Sequence, residues 1–403
     1  MNVIDYGDKG EVQKLLNRSA MGLEDASVAV KPILNDVRDG GDYALSTYTK
    51  KFDEFELNLD NIRISSKEID AAYSRADKGL IKALTHAKSN IEKFHREQLR
   101  QIKREWKTEV ERGVSISEKT IPMDSVGCYV PGGRAPYPST VLMTVIPARI
   151  AGVKRIAVCS PPKISDDILA ACKIAGVDEV YRVGGAQSIA AMAYGTETIK
   201  PVSKIIGPGN VYVMAAKMRV YGKVDIDSPA GPSEILIIAD KSANPEFIQA
   251  DLLAQAEHDP DAQAVVVTDS KELAKKIDGT VVLTKTISEC IEFANDYAPE
   301  HLEIMCRNPE KVSQKIRNAG AIFLGDYSPV AAGDYCSGGN HVLPTAGTAK
   351  FSSRLGVDDF LKKVCVQSLS KEGLGKLRNS IERLSDAEGF KAHRDSVRAR
   401  FKP

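Results

Sequence analysis

The spacing of hydrophobic positions changes part-way along this chain of 403 residues. From Ser65 to about Arg112, Leu80, Leu84, Ala87, Ile91 and Phe94 form one stripe among charges, and no Gly or Pro falls between Leu80 and Arg112. That spacing predicts long helix, opened by Ser65 and Glu68 at capping-box separation. His86 and His95 fall off the stripe among Lys and Glu and read as solvated surface histidines.

After Ile121 the texture alternates. SVGCYV, RIAVCS, EVYRVGG, SKIIGPG and EILIIAD read as strands between helical runs such as ISDDILAACKIAG and NVYVMAAKMRVYG. A second set follows: FIQADLLAQAEHD as helix, AQAVVVTD as strand, KELAKKI as helix, TVVLT as strand, ISECIEFANDY as helix, HLEIM as strand, EKVSQKIRNAG as helix and AIFLG as strand. Alternation of this kind predicts βαβ units with helices on both faces of parallel sheets. The expected fold is α/β, with two doubly wound, incomplete Rossmann-like domains and helical extensions at both ends. A Gly-rich loop, DYCSGGNHVLPTAGTAKFSS, precedes a tail from about Val357 that reads as helical.

Composition narrows the function classes. Net charge is +1, with 43% hydrophobic and 27% charged residues, so neither nucleic acid nor a membrane surface is expected as a partner. Seven scattered cysteines form no zinc-knuckle or redox spacing and fit a reducing compartment. No apolar run is long enough to span a bilayer, and the start has no signal-peptide pattern; a cytoplasmic location is expected.

Three glycine-rich turns follow strand candidates: YVPGGRAP (129–136), VGGAQS (183–188) and IIGPGNVY (205–212). Each stands where backbone N–H groups at a helix start meet phosphate, yet none completes G-x-G-x-x-G and no Walker A pattern occurs. Four histidines outside the long helix each have an acid or amide within seven residues. Gln255 and His258, in LLAQAEHDPDAQ, share a helix face at i and i+3, whereas Glu257 points elsewhere. Asp259-Pro260 should stop that helix. Glu300 and His301 stand in YAPEHLE at a sheet edge, Asp334 and His341 share the Gly-rich loop, and Glu388 and His393 share EGFKAH. His nitrogen with carboxylate oxygen suits zinc, and a remaining His–acid pair suits general base work. The residues alone point to a metal-assisted α/β enzyme with a nucleotide and do not name a reaction.

Eight segments in order resemble the histidinol dehydrogenases: YVPGGRAPYPSTVLM, VGGAQSIAA, GPGNVYV, DSPAGPSE, LLAQAEHDPDAQ, YAPEHLE, GDYCSGGNHVLPT and EGFKAHRDSV. The resemblance runs from about Val126 to Val397. It implies oxidation of L-histidinol to L-histidine through L-histidinal, with two NAD as hydride acceptors and one Zn2+ per subunit. It places zinc ligands on Gln255, His258, Asp334 and His393, the last serving the site of the partner subunit in a homodimer. Glu300 and His301 match the acid–base pair. His301, near its ordinary pKa, takes the alcohol proton, and Glu300 activates water onto the aldehyde. Ser233, His341 and Glu388 match substrate contacts, joined by the four ligands and Glu300. Tyr129, Gln187 and Asn210 match NAD contacts.

The domain plan that follows has a helical arm over 1–19. A first α/β domain over 20–128 and 234–355 carries the metal and catalytic residues, and a second over 129–233 carries the NAD contacts. A helical tail over 356–403 reaches the partner's site. Two departures from the pattern are Ser228 ahead of PAGPSE and Cys336 beside Asp334. The competing readings are a related dehydrogenase of another small alcohol, such as a sulfonated diol, a zinc hydrolase without nucleotide, and a non-catalytic protein on the same scaffold.

Overall fold

A computed structural model describes residues 2–18, 23–132, 136–177, 179–229, 231–258 and 260–402. Asp259, expected to stop its helix, and residues 133–135 of the first glycine-rich turn lie outside the described residues. The chain divides into two compact units, residues 1–99 with 123–360, and residues 100–122 with 361–403.

The first unit holds two wholly parallel sheets. One has six strands in the order Asn2–Asp5, Thr280–Leu283, Gln263–Thr268, Glu234–Ala239, His301–Met305 and Ala321–Leu324. The other has five: Glu179–Tyr181, Arg155–Cys159, Ser125–Tyr129, Lys204–Ile206 and Asp225–Ile226. Their strands are near-continuous apolar runs because both faces are covered; Ile235, Leu236, Ile237 and Ile238 are all fully buried. Burying each such side chain contributes about 1.5–3 kcal/mol.

Five elements differ from the sequence expectation. The capping box at Ser65 and Glu68 forms, but the long helix is two, Ser66–Arg75 and Lys78–Gln101, and Glu105–Glu111 is a strand. All seven residues of that strand are exposed, so its charges read as a solvated helix face. His95 is fully buried, its Nδ1 donating to Ile91 O at 2.8 Å. The inward face of its helix runs Leu84, Ala87, Ile91, His95, which continues the i, i+4 stripe. The N-terminal arm contains an edge strand, Asn2–Asp5, before its helix Lys9–Leu16. The tail opens with strand Leu361–Leu369 before helices Lys371–Ala387 and Lys391–Ala399.

The domain plan groups 20–128 with 234–355, the segment that builds most of the six-stranded sheet. Helix Leu23–Asp53, kinked at Gly41, packs instead with Gly185–Tyr194 and Val211–Val220 against the five-stranded sheet. A border at 128 also cuts strand Ser125–Tyr129. The second unit is an antiparallel sheet, Leu361–Leu369, Val114–Pro122 and Glu105–Glu111, with the two tail helices.

Candidate active site

Glu234 and His301 are the first residues of two adjacent parallel strands, and His301 stands level with Ile235. Helix Pro245–Ala256 runs back across the sheet and carries Gln255 in its last turn, with Glu257 as its C-cap and His258 in the following turn. The His–acid groups therefore gather at the amino ends of the strands. That is opposite to the carboxyl-end crevice usual in doubly wound sheets.

Glu300 and His301 are 4% and 3% exposed, with Glu300 Oε2 3.5 Å from His301 Nδ1. His301 Nδ1 donates to the carbonyl of Glu234 at 3.1 Å, and its Nε2 faces Asp334 Oδ1 at 3.5 Å. The second distance is an ion pair rather than a firm hydrogen bond. The other oxygen of Asp334 lies 3.7 Å from His258 Nε2, so one carboxylate spans two imidazoles. His258 Nδ1 donates to Ala254 O at 3.3 Å, which leaves Nε2 as the nitrogen free to coordinate. Glu257 is exposed.

The electrostatics differ from the expectation for His301. Burial lowers its pKa, but Glu300 and Asp334 outweigh burial and raise it to about 9. Burial lifts Glu300 to about 7 despite the adjoining His301. Asp334 is pushed up by burial, yet His301, with His341 and His258, holds it below the usual carboxylate value. The facing carboxylates therefore hold the imidazole above its ordinary pKa rather than near it.

His341 donates from Nδ1 to the backbone carbonyl of Asp334 at 2.9 Å, while its Nε2 lies 3.4 Å from Thr140 Oγ1. Burial lowers its pKa. Asn340 Nδ2 donates to Met143 O at 2.7 Å and Asn90 Nδ2 to Cys336 O at 2.9 Å, so the Gly-rich loop is fastened at two points. A cavity of about 640 Å3 opens on His301, Asp334, His341, Phe94 and Arg354. Ser233 is half-buried beside Glu234. Glu388 and His393 belong to the second unit, where both are exposed.

Among the described residues no three His, Cys, Asp or Glu side chains are grouped to hold an ion. The donor set here is instead a His, an Asp and an amide. Gln255 is 2% exposed, and neither its Oε1 nor its Nε2 has a hydrogen-bond partner. A buried amide without partners costs several kcal/mol by transfer scales, so an ion at Gln255 Oε1 fits the residues present.

The expected NAD contacts sit at the carboxyl ends of the five-stranded sheet, where its strand order reverses beside Ser125–Tyr129. Gly185 N donates to Tyr129 Oη at 3.3 Å. Gly207 has φ 115°, and a Cβ there would collide with the carbonyl of Tyr129, so only glycine allows the turns to meet. Asn210 caps helix Val211–Val220 through Oδ1, accepting from Tyr212 N and Val213 N. Gln187 is 1% exposed with both amide heteroatoms unpartnered, which fits a polar ligand against it.

Sequence reasoning does not single out Glu234 or Arg18. Glu234 is 2% exposed and binds Glu300 and Arg18; a charge opening the apolar strand EILIIA is the signal that marks it. No pattern around Arg18 points to a partner 216 positions away.

The chain is 50% identical to a histidinol dehydrogenase of Methanothermobacter thermautotrophicus, over 100% of this chain and 99% of that protein. It is 45% identical to one from Clostridium acetobutylicum, over 96% and 95%. The crystal structure of histidinol dehydrogenase from Elizabethkingia anophelis superposes with a TM-score of 0.92 at 40% identity, covering 99% of this chain and 98% of that one. With the histidinol dehydrogenase family model matching residues 16–281 and 275–401 as well, the chain belongs to the histidinol dehydrogenase family and is an oxidoreductase.

Proposed function

We propose that this chain oxidises L-histidinol to L-histidine through L-histidinal, on a homodimer, with zinc and NAD. The observation that carries the reading is Asp334, whose carboxylate spans His301 and His258, together with the buried, unpartnered amide of Gln255 one helical turn before His258. Zinc held by Gln255, His258, Asp334 and the partner subunit's His393 would dock the substrate's imidazole and amino nitrogens, and NAD beside Tyr129, Gln187 and Asn210 would accept each hydride.

His301 takes the alcohol proton on Nε2, because its Nδ1 is committed to the Glu234 carbonyl. Asp334, which with Glu300 raises the pKa of His301, would be drawn to zinc as a ligand, and its hold on the imidazole proton would weaken. Glu300, raised to about 7, suits proton removal from water attacking the aldehyde near neutral pH. Burial of both groups excludes bulk water from the first step. His341 and Ser233 flank the substrate from the loop and the strand start, and Glu388 is assigned to the partner's site.

The test is NADH formation from L-histidinol by the purified protein, before and after chelation and zinc return. Two NADH per histidinol with histidine as product is the expected result. No NADH from folded, zinc-loaded dimer would discard histidinol as substrate and turn attention to other amino or sulfonated alcohols.

A further inference from the structure

We propose that Arg18 and Glu234 are positioning residues that set the orientation of both Glu300 and His301, an inference that rests on the roles just assigned to that pair. Arg18 Nε donates to Glu234 Oε2 at 2.5 Å and Nη2 to Oε1 at 2.8 Å, with both side chains 3% exposed. The same Nη2 reaches the carbonyls of Tyr297 and Ala298 at 2.6 and 3.4 Å. The guanidinium also stacks on the Tyr297 ring, 3.4 Å from its centroid.

Each contact of this clamp leads to the catalytic dipeptide. Glu234 N donates to Glu300 Oε2 at 2.8 Å, Glu300 N donates to Glu234 Oε1 at 3.2 Å, and Glu234 O accepts from His301 Nδ1 at 3.1 Å. The two carbonyls taken by Arg18 belong to the turn that delivers Pro299, Glu300 and His301, where Ala298 adopts φ 50°. One guanidinium therefore fixes the strand start that holds Glu300 and His301 and also the turn that carries them. A buried ion pair is weak support for stability, since apolar replacements of similar volume are often neutral or better. Its geometric value is the planar fork, which fixes a carboxylate in direction as well as distance.

The clamp is tested with Arg18→Met and Arg18→Lys in the zinc-loaded dimer, measuring kcat, KM for L-histidinol and bound zinc. In Arg18→Met, kcat should fall on the order of 100-fold with KM within about threefold and zinc retained, the scale expected of a misplaced catalytic group. Arg18→Lys keeps the charge without the fork and should lose roughly tenfold. If kcat per zinc-loaded site stays within about twofold in Arg18→Met, the proposal is overturned; should that variant not fold, the same limit applies to Arg18→Lys. A second readout is independent of turnover. The His301 Nδ1 proton, identified by its loss in His301→Gln, should exchange with solvent at least roughly ten times faster in the Arg18 variants. If wild type does not oxidise histidinol, the assigned reaction fails and this exchange rate alone decides the clamp, with an unchanged rate overturning it.

Discussion

Lys217 is 1% exposed, yet it carries a charge in the middle of helix Val211–Val220. Its Nζ pairs with Asp227 Oδ1 and donates to Gly207 O at 3.0 Å, and Gly207 N donates to Asp227 Oδ2 at 2.7 Å. These contacts hold the turn that meets Tyr129. Lys217→Met keeps the apolar stem and removes the charge, leaving the Asp227 carboxylate, 6% exposed, with one backbone donor. Removing one partner of a buried pair costs about 3–5 kcal/mol. The lost charge-assisted bond to Gly207 O, about 1.5–3 kcal/mol, is part of that total and is not added to it. Urea unfolding at fixed protein concentration should show the loss, and NAD should protect the variant less against thermal unfolding because the 207–210 turn is released. Lys217→Met with Asp227→Asn removes the stranded charge and should recover about half of the deficit. A single variant within about 1 kcal/mol of wild type would refute the reasoning, since it would mean that Asp227 was never left uncompensated.

Other tests bear on the chemistry and the core. Glu300→Gln should slow oxidation of L-histidinal by about 100-fold, within the range for a lost general base, and slow the first oxidation less; equal rates for the aldehyde in both proteins would remove the role given to Glu300. A heterodimer of His393→Ala and His301→Ala subunits should regain one working site, and no activity from a heterodimer shown to form would count against sharing. His95 has its pKa lowered, first by burial and then by Arg354, against the bond to Ile91 O. The unfolded chain then takes a proton that the folded chain refuses. Its stability contribution is therefore intact above about pH 6.5 and declines as pH falls from there toward the lowered folded pKa. Unfolding midpoints from pH 7.5 to 5.5 should fall less steeply in His95→Leu than in wild type, and parallel slopes would exclude this origin.

Much of the architecture is a local property and could be read from the chain. The apolar runs EILIIA and AQAVVVT must be covered on both faces, and helix-period segments between them force parallel crossovers. The Ser65–Glu68 box likewise depends on four adjacent residues. Glycine turns at 184–185 and 207–209 were legible as turns for the same reason, and the His–acid pairs as pairs. The sequence by itself therefore determined the elements, the parallel sheets and, through eight ordered segments, the family.

Tertiary structure decided what those elements face. His95 belongs to the buried stripe because Ile91 is one turn before it, whereas the charged neighbours suggested solvent. Strand Glu105–Glu111 exists through its pairing with Val114–Pro122, since its own side chains are exposed and bury nothing. Asp334 joins His258 and His301 only when loop and sheet are assembled, and the resulting field raises His301 while holding Asp334 down. Arg18 and Glu234 meet across 216 positions. Local patterns fix secondary structure because their hydrogen bonds and apolar periods are short-range, but a pKa or a clamp is set by charges brought together from distant segments and removed from water.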